Sequence, residues 1–578
     1  MEPVTPSQVA ASSAADGATR IRLTEAWGIA PVPWLCTIRV RILVVTDGRI
    51  NGSHDQFEFG LGQVLDTLHD PSFAWWVSFE AELVNRDPPE SFRFTQNGFD
   101  LDHYDQVWFF GDWPGEIAND PAFPDNQIDL PEYVPLDDAE LRIVAEWMDR
   151  GGGVFAAGDH TLLGASMCRR IPRVRTMRRW TRAQGVPSFN DAHRHETLQH
   201  VEIGPTGWEG DEWAQRIYPV LRRDARRPFD LLGAYPHPLL CGPSGVIDRF
   251  PDHMHEGSVF ENEEVRLDEP LGIPDYDGDE YPILEPEILA AAVGEQPETF
   301  ALRPRPEVVA HAVTTNPEPL TAPEPGGVLM ARRLGVFPGK RFAIVGAYDG
   351  DAVGIGRVVV DSTWHHWFSM NLVGFHAKAP ALYRGMQGYY RNVALWLARP
   401  EQRAGMLFAA TWGLAVGKYP GAFDRVMGIW ENGARALDAI GRTASACIVS
   451  ELVATVLGPT VAAMGDDGAS EDLATSPALG TLVDQAVVGG IMYGQLDDAR
   501  RHVIERAHGR TTAVDPDVVR KTGVAGVDHA LREVASTLAH EARELARLSE
   551  RFGRYEERPT RLPHAPLESL DGPDRTAS

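Results

Sequence analysis

The chain has 578 residues, 43% of them hydrophobic and 24% charged, and a formal net charge of −28. That length calls for two or three domains rather than one core. The acidic balance argues against a general duplex nucleic-acid binder, which needs a basic footprint.

Residues 1 to about 37 are rich in Ala, Ser and Pro and lack a basic segment followed by an apolar one. They read as a disordered leader rather than a secretory signal. The run Arg39–Thr46 is β-branched and ends in Asp47-Gly48, which predicts a buried strand and a turn. Phe57 to His69 has helical spacing. Tyr104–Gly111 predicts a second buried strand. Leu136–Arg150 predicts an amphipathic helix with Asp137 and Asp138 at its positive end and Gly151 as its stop. Gly153–His160 predicts a third strand running into a sharp turn. Strands alternating with helices imply a parallel sheet covered on both faces.

Residues 205–325 are acidic and rich in proline, and read as insertions on the sheet. Strand character returns at Phe342–Tyr348 and Gly356–Asp361, and Tyr389–Leu397 predicts the closing helix. Arg399-Pro400 marks the end of an α/β domain that spans 38–400. From 401 to 555, Ala, Leu and Val at helical spacing predict an all-α region, with a stripe of Leu531, Val534, Leu538, Ala542, Leu545 and Phe552. The polar, proline-rich segment 556–578 reads as a disordered tail. No apolar run reaches the roughly 18 residues of a membrane span; the nearest, Met406 to Val416, reads as a buried helix. Cys36, Cys168, Cys241 and Cys447 are far apart and without C-x-x-C spacing, so reduced thiols and a cytoplasmic location are expected.

The strand and turn before His54-Asp55, the strand Tyr104–Gly111, the helix and Gly-Gly-Gly before a strand ending at His160, and a late Gly-Arg-Val-Val-Val strand followed by His365 form one ordered pattern. It resembles the trehalose-utilisation (ThuA-like) branch of the class I glutamine amidotransferase-like superfamily, over roughly residues 39–398. The resemblance implies a three-layer α/β fold and a loose link to carbohydrate metabolism. It also implies site roles for His54, His160 and His365. Amidotransferases of this class carry a cysteine on the turn after the third strand. Here that turn is Ala157-Gly158-Asp159-His160, and Cys168 lies downstream. Glutamine hydrolysis through a cysteine thioester is therefore not expected.

Of the 19 histidines, several stand beside carboxylates: Asp159-His160, His193-x-His195-Glu196, Asp252-His253-x-His255-Glu256, and Asp361 with His365-His366. Ligands of open α/β sheets bind beyond the carboxyl ends of the strands, where Asp47, Asp159-His160 and Asp361–His366 belong. Imidazole and carboxylate mixtures suit a divalent metal such as zinc, iron or manganese, with Asp252, His253 and His255 as ligands. They equally suit metal-free acid–base work by Asp159, His160 and His365. A purely structural role for the same groups remains a third reading. Seven arginines between Arg169 and Arg182, among them Arg175 and Arg178, could hold an anionic ligand or form ion pairs with the acidic insertions. Trp364 lies in an aromatic segment on which a sugar ring could stack, or which could belong to the core. Asp47, His54, Arg175, Arg178 and Trp364 are thus the candidate substrate contacts.

The function expected is a His/Asp-dependent hydrolase or isomerase acting on a polar or anionic small molecule such as a sugar derivative, without membrane or nucleic-acid partners and compatible with a homodimer. A ligand-binding regulatory module and an oligomeric scaffold are the alternatives.

Overall fold

A computed structural model describes residues 37–112, 135–158, 164–180, 184, 214–223, 234–251, 259–284, 303–313, 341–362, 365–417, 423, 426–463, 477–510 and 513–556. The elements that matter below are β1 (Ile38–Thr46), α1 (Gly62–His69), β2 (Val77–Asn85), β3 (Gln106–Phe110), α2 (Asp138–Asp149), β4 (Gly153–Ala157), β5 (Tyr218–Pro219), β6 (Glu307–Val313), β7 (Arg341–Tyr348) and β8 (Val358–Asp361). Among the described residues, seven helices follow: α3 (Ser369–Lys378), α4 (Pro380–Trp396), α5 (Pro400–Val416), α6 (Ile429–Gly441), α7 (Ala446–Ala463), α8 (Pro477–Ala507) and α9 (Pro516–Glu556).

The strands form one eight-stranded sheet in the order β2-β1-β3-β4-β8-β7-β6-β5. The pairs β2-β1, β1-β3, β3-β4 and β4-β8 are parallel. The expectation of a wholly parallel sheet is corrected at one edge: β7, β6 and β5 pair antiparallel to their neighbours. Only residues 349–357 separate β7 from β8. A parallel return needs a crossover of a dozen or more residues, so this short connection imposes a reversal.

Why the central strands form is plain from their side chains. In β3 and β4 every residue is buried, as expected of strands covered on both faces. One face presents Val107, Phe109, Val154 and Ala156 to Leu141, Val144 and Met148 of α2. Asp137 caps α2: its carboxylate accepts from the Glu140 backbone N–H, while Glu140 reaches back to the Asp137 N–H. Glu140 is itself buried and paired bidentately with the buried Arg86 at 2.8 Å. The other face presents Val44, Trp108, Phe110 and Phe155 to a core that continues without a break through Met406, Leu452, Ile491 and Val527.

Polar contacts reinforce that continuity. Gln106 of β3 donates to the Ala394 carbonyl of α4 at 2.6 Å, and Trp75 donates to the Ala410 carbonyl of α5 at 3.2 Å. Arg357, buried before β8, pairs with Asp349 at 2.8 Å and with Glu451 of α7 at 2.6 Å. The C-terminal helices are therefore packed on the sheet layer as part of one core. Among the described residues, no helix is long and apolar enough to cross a membrane.

The cysteines depart from expectation. Cys241 and Cys447 are disulfide-bonded across 206 residues, with their Cα atoms 6.1 Å apart, and Cys168 is free and buried. Sequence spacing could not show this pairing, because folding brings together an insertion and a C-terminal helix.

Candidate functional site

The parallel register sets the site. Thr46, Phe110, Ala157 and Asp361 lie side by side at the carboxyl ends of β1, β3, β4 and β8. The residues that emerge next from these strands, Asp47, Gly111-Asp112, Gly158 and Ser362, therefore share one edge of the sheet. This is the edge at which open α/β sheets bind ligands.

Asp47 is 7% exposed, and one of its carboxylate oxygens accepts from the Asp112 backbone N–H at 2.5 Å. Burial pushes its carboxyl up to about 7, and the nearby charges of Asp112 and Asp87 push the same way. The Asp112 hydrogen bond and Arg86 oppose that rise without cancelling it. The turn after Asp47 is held by carboxylates. The Gly48 N–H donates to Asp87 at 2.7 Å, and the Arg49 N–H donates to Asp112 at 2.7 Å. The Arg49 guanidinium also grips both Asp112 oxygens at 3.1 Å and lies 4.5 Å over the Phe59 ring. Gly48 has φ +59°, and a Cβ there would strike Asp112, so the turn requires glycine.

Arg178 is fully buried against Gly158, where a Cβ would collide with its guanidinium, and it lies 4.4 Å over the Trp180 ring. At the end of β8, Asp361 is fully buried. One of its carboxylate oxygens accepts from His366 Nε2 at 2.8 Å, from the Tyr389 hydroxyl at 2.8 Å and from Trp367 Nε1 at 3.4 Å. Phe250 stacks on His366 at 4.2 Å. Burial, with the Asp361 charge, holds the Tyr389 hydroxyl well above its ordinary range. His366 is thus built into the core, and its neighbour His365 is 7% exposed. Ser369 ties this segment to the loop after β1: its backbone N–H donates to the Gly60 carbonyl at 2.7 Å, and its hydroxyl lies 2.8 Å from the Ser53 carbonyl.

Asp47 stands directly after β1, Arg178 lies against Gly158 directly after β4, and His365 follows the end of β8 by four residues, with β3 between β1 and β4. His54 lies at the surface, where its Nε2 is paired with Asp66 of α1 at 2.9 Å. Arg175 is turned to the acidic insertion, pairing with Glu280 at 2.7 Å and with Glu269 at 3.6 Å. Arg179 likewise pairs with Glu264 of the insertion, whereas Arg170 and Arg173 pair with Asp138 and Asp149 at the two ends of α2. Asp159, His160, Trp364, Asp252, His253 and His255 lie outside the described residues. Among the described residues, no group of three or more His, Cys, Asp or Glu is placed to hold a metal ion. Cys168 is buried, and burial raises its thiol, which is the reverse of what activates a nucleophile.

Asp87 and Asp112 were missed by the sequence reading. Asp112 follows the strand Gln106–Phe110 by one residue beyond Gly111, so the strand-end argument that selected Asp47 could have selected it as well. No family model, curated protein or solved structure matches this chain.

Proposed function

We propose that the carboxyl edge of β1, β3, β4 and β8 is the reaction site of an enzyme that applies carboxylate and histidine acid–base chemistry to a polar small molecule, with sugar derivatives the first class to try. The single observation that carries this reading is the placement of Asp47. It is a buried carboxyl that titrates near neutral pH, at a strand end shared in register with the Asp361–His366 segment. A general acid or base works best when its pKa lies near the working pH, and such perturbed groups cluster at functional sites.

Asp47 in its protonated form donates to a leaving oxygen, and in its ionised form withdraws a proton. Arg178 supplies positive charge beside the turn after β4. His365 is the second proton-transfer group, and Asp159-His160, which follow Gly158 directly in sequence, complete the set. The same strand-end arrangement supports the likeness to the ThuA-like branch of the amidotransferase-like superfamily, with Asp and His where a nucleophilic cysteine would stand. A zinc, iron or manganese ion on Asp252, His253 and His255 is the metal-dependent form of this reading.

The test is a hydrolysis and isomerisation screen of sugar derivatives with wild type, Asp47→Asn and His365→Gln, run beside elemental analysis of the purified protein. A turnover that falls at least about 100-fold in both variants, with a wild-type profile inflecting near pH 7, is expected for lost acid–base groups. Turnover unchanged in Asp47→Asn would refute the assignment. Stoichiometric metal lost in His255→Ala would select the metal-dependent form.

A further inference from the structure

We propose that the Cys241–Cys447 disulfide is a reversible thiol-exchange site, a redox-controlled clasp that fastens the insertion segment 237–251 to the C-terminal helices. Three features of its surroundings carry this.

The two sulfurs differ in access. Cys241 is 4% exposed, whereas Cys447 is half-buried in the first turn of α7. Of the two, Cys447 is therefore the one at which attack by an external thiolate is assigned. That turn begins after Ser445, whose hydroxyl accepts from the Ile448 N–H at 3.2 Å. The positive end of the helix favours a thiolate at Cys447 once the bond is open.

Cys241 is also housed for its reduced state. Its sulfur lies 3.7 Å from the Pro236 carbonyl oxygen and 3.6 Å from that of His237. A disulfide sulfur has no proton to give them, but a thiol does. The buried side of the bond thus has acceptors waiting for the S–H that reduction creates, so neither redox state leaves it without a fitting environment.

Finally, the clasp joins an insertion segment that carries a short exposed hairpin to the C-terminal helices. Cys241 opens a two-residue antiparallel pairing with Gly245-Val246, and Val246 is 51% exposed. Asn392 of α4 fixes this segment from one side, donating to the Leu239 and Cys241 carbonyls at 3.1 and 2.8 Å. Cys447 fixes it from the other. The same segment runs on to Phe250, which stacks on His366.

The exchange proceeds in two balanced steps with an external dithiol as reductant. One of its thiolates attacks the Cys447 sulfur and forms a mixed disulfide; the S–S bond breaks, and Cys241 leaves and takes up a proton. The second thiol of the reductant then attacks the mixed disulfide, becomes oxidised to an intramolecular disulfide, and releases Cys447 as a thiolate. Two electrons pass from the dithiol to the two cysteines.

The test uses the full chain purified without thiols. Alkylation after denaturation should label two of the four cysteines. Prior incubation of the folded protein with dithiothreitol should bring the number to four, and glutathione disulfide should return it to two. Hydrogen exchange should accelerate over 237–251 and the first turn of α7 in the reduced protein. Cys241→Ser exposed to glutathione disulfide should gain one adduct, placed by peptide mapping on Cys447 rather than on Cys36 or Cys168. Four labelled cysteines in the air-oxidised protein would overturn the proposal, as would a bond that yields to the dithiol only after unfolding. An adduct that avoids Cys447 would overturn it as well.

Discussion

Asp47 occupies a position where three carboxylates meet around one turn, and its chemistry follows from that crowding. Its native carboxyl, near 7, lies above the ordinary 3.8, so the folded protein holds this proton more tightly than the unfolded chain does. The linked stability is complete below the unfolded value and is lost as pH rises through the native one. Between about pH 4 and pH 7 the wild type should lose stability on the order of 4 kcal/mol from this group. Asp47→Asn keeps an oxygen for the Asp112 N–H but has nothing to titrate. Urea midpoints measured across that range should fall in the wild type relative to the variant, and parallel curves would disprove the assignment. Asp361 shows a different solution to burial, with three donors from His366, Tyr389 and Trp367 satisfying one carboxylate.

At the scale of elements, the helices that follow the sheet approach one another through glycine. A Cβ on Gly526 of α9 would strike the Gly490 backbone of α8, and one on Gly494 would strike α9 in return. One on Gly433 of α6 would meet the Gln485 backbone of α8. Backbone cannot step aside as a side chain can, so Gly526→Val should force the helices apart and destabilise by about 1–3 kcal/mol or more. Gly385 of α4 has open space where a Cβ would stand. There Gly385→Ala should stabilise by roughly 0.5–1 kcal/mol, through better helix propensity. Thermal unfolding of the two variants should move in opposite directions. Shifts of the same sign would mean that helix contact does not control these positions.

At the scale of the molecule, one core runs from the sheet face of Val44, Trp108 and Phe155 to Met406, Leu452 and Val527 in the C-terminal helices. The ion pairs of Arg357 with Glu451 and of Arg403 with Asp351, together with the disulfide, cross the same boundary. A fragment ending near residue 398 should therefore not fold as the sheet domain does in the whole chain. It should bind a hydrophobic dye and unfold without a cooperative transition. A fragment with a sharp transition and no dye binding would show that the sheet layer is self-sufficient.

What the sequence by itself determined is local. The buried runs of β3, β4, β8 and the second half of β1, Ile42–Thr46, were legible because strands covered on both faces are largely apolar, and α2 was legible from its period, its acidic start and Gly151. The strand-end position of Asp47 followed from the same runs. β2 was not legible: at the sheet edge its buried Val77 and Phe79 alternate with Ser78 and Glu80, a weaker signal than a continuous run. Only the tertiary structure decided that Asp87 and Asp112 close around Asp47. It also decided that the arginine run is turned largely to acidic partners, that His366 is buried on Asp361, and that Cys241 meets Cys447. Each of these depends on contacts between residues far apart in the chain. Sequence period reports which face of an element is apolar, whereas the shape of the packed core decides which elements, and so which charges and thiols, face one another.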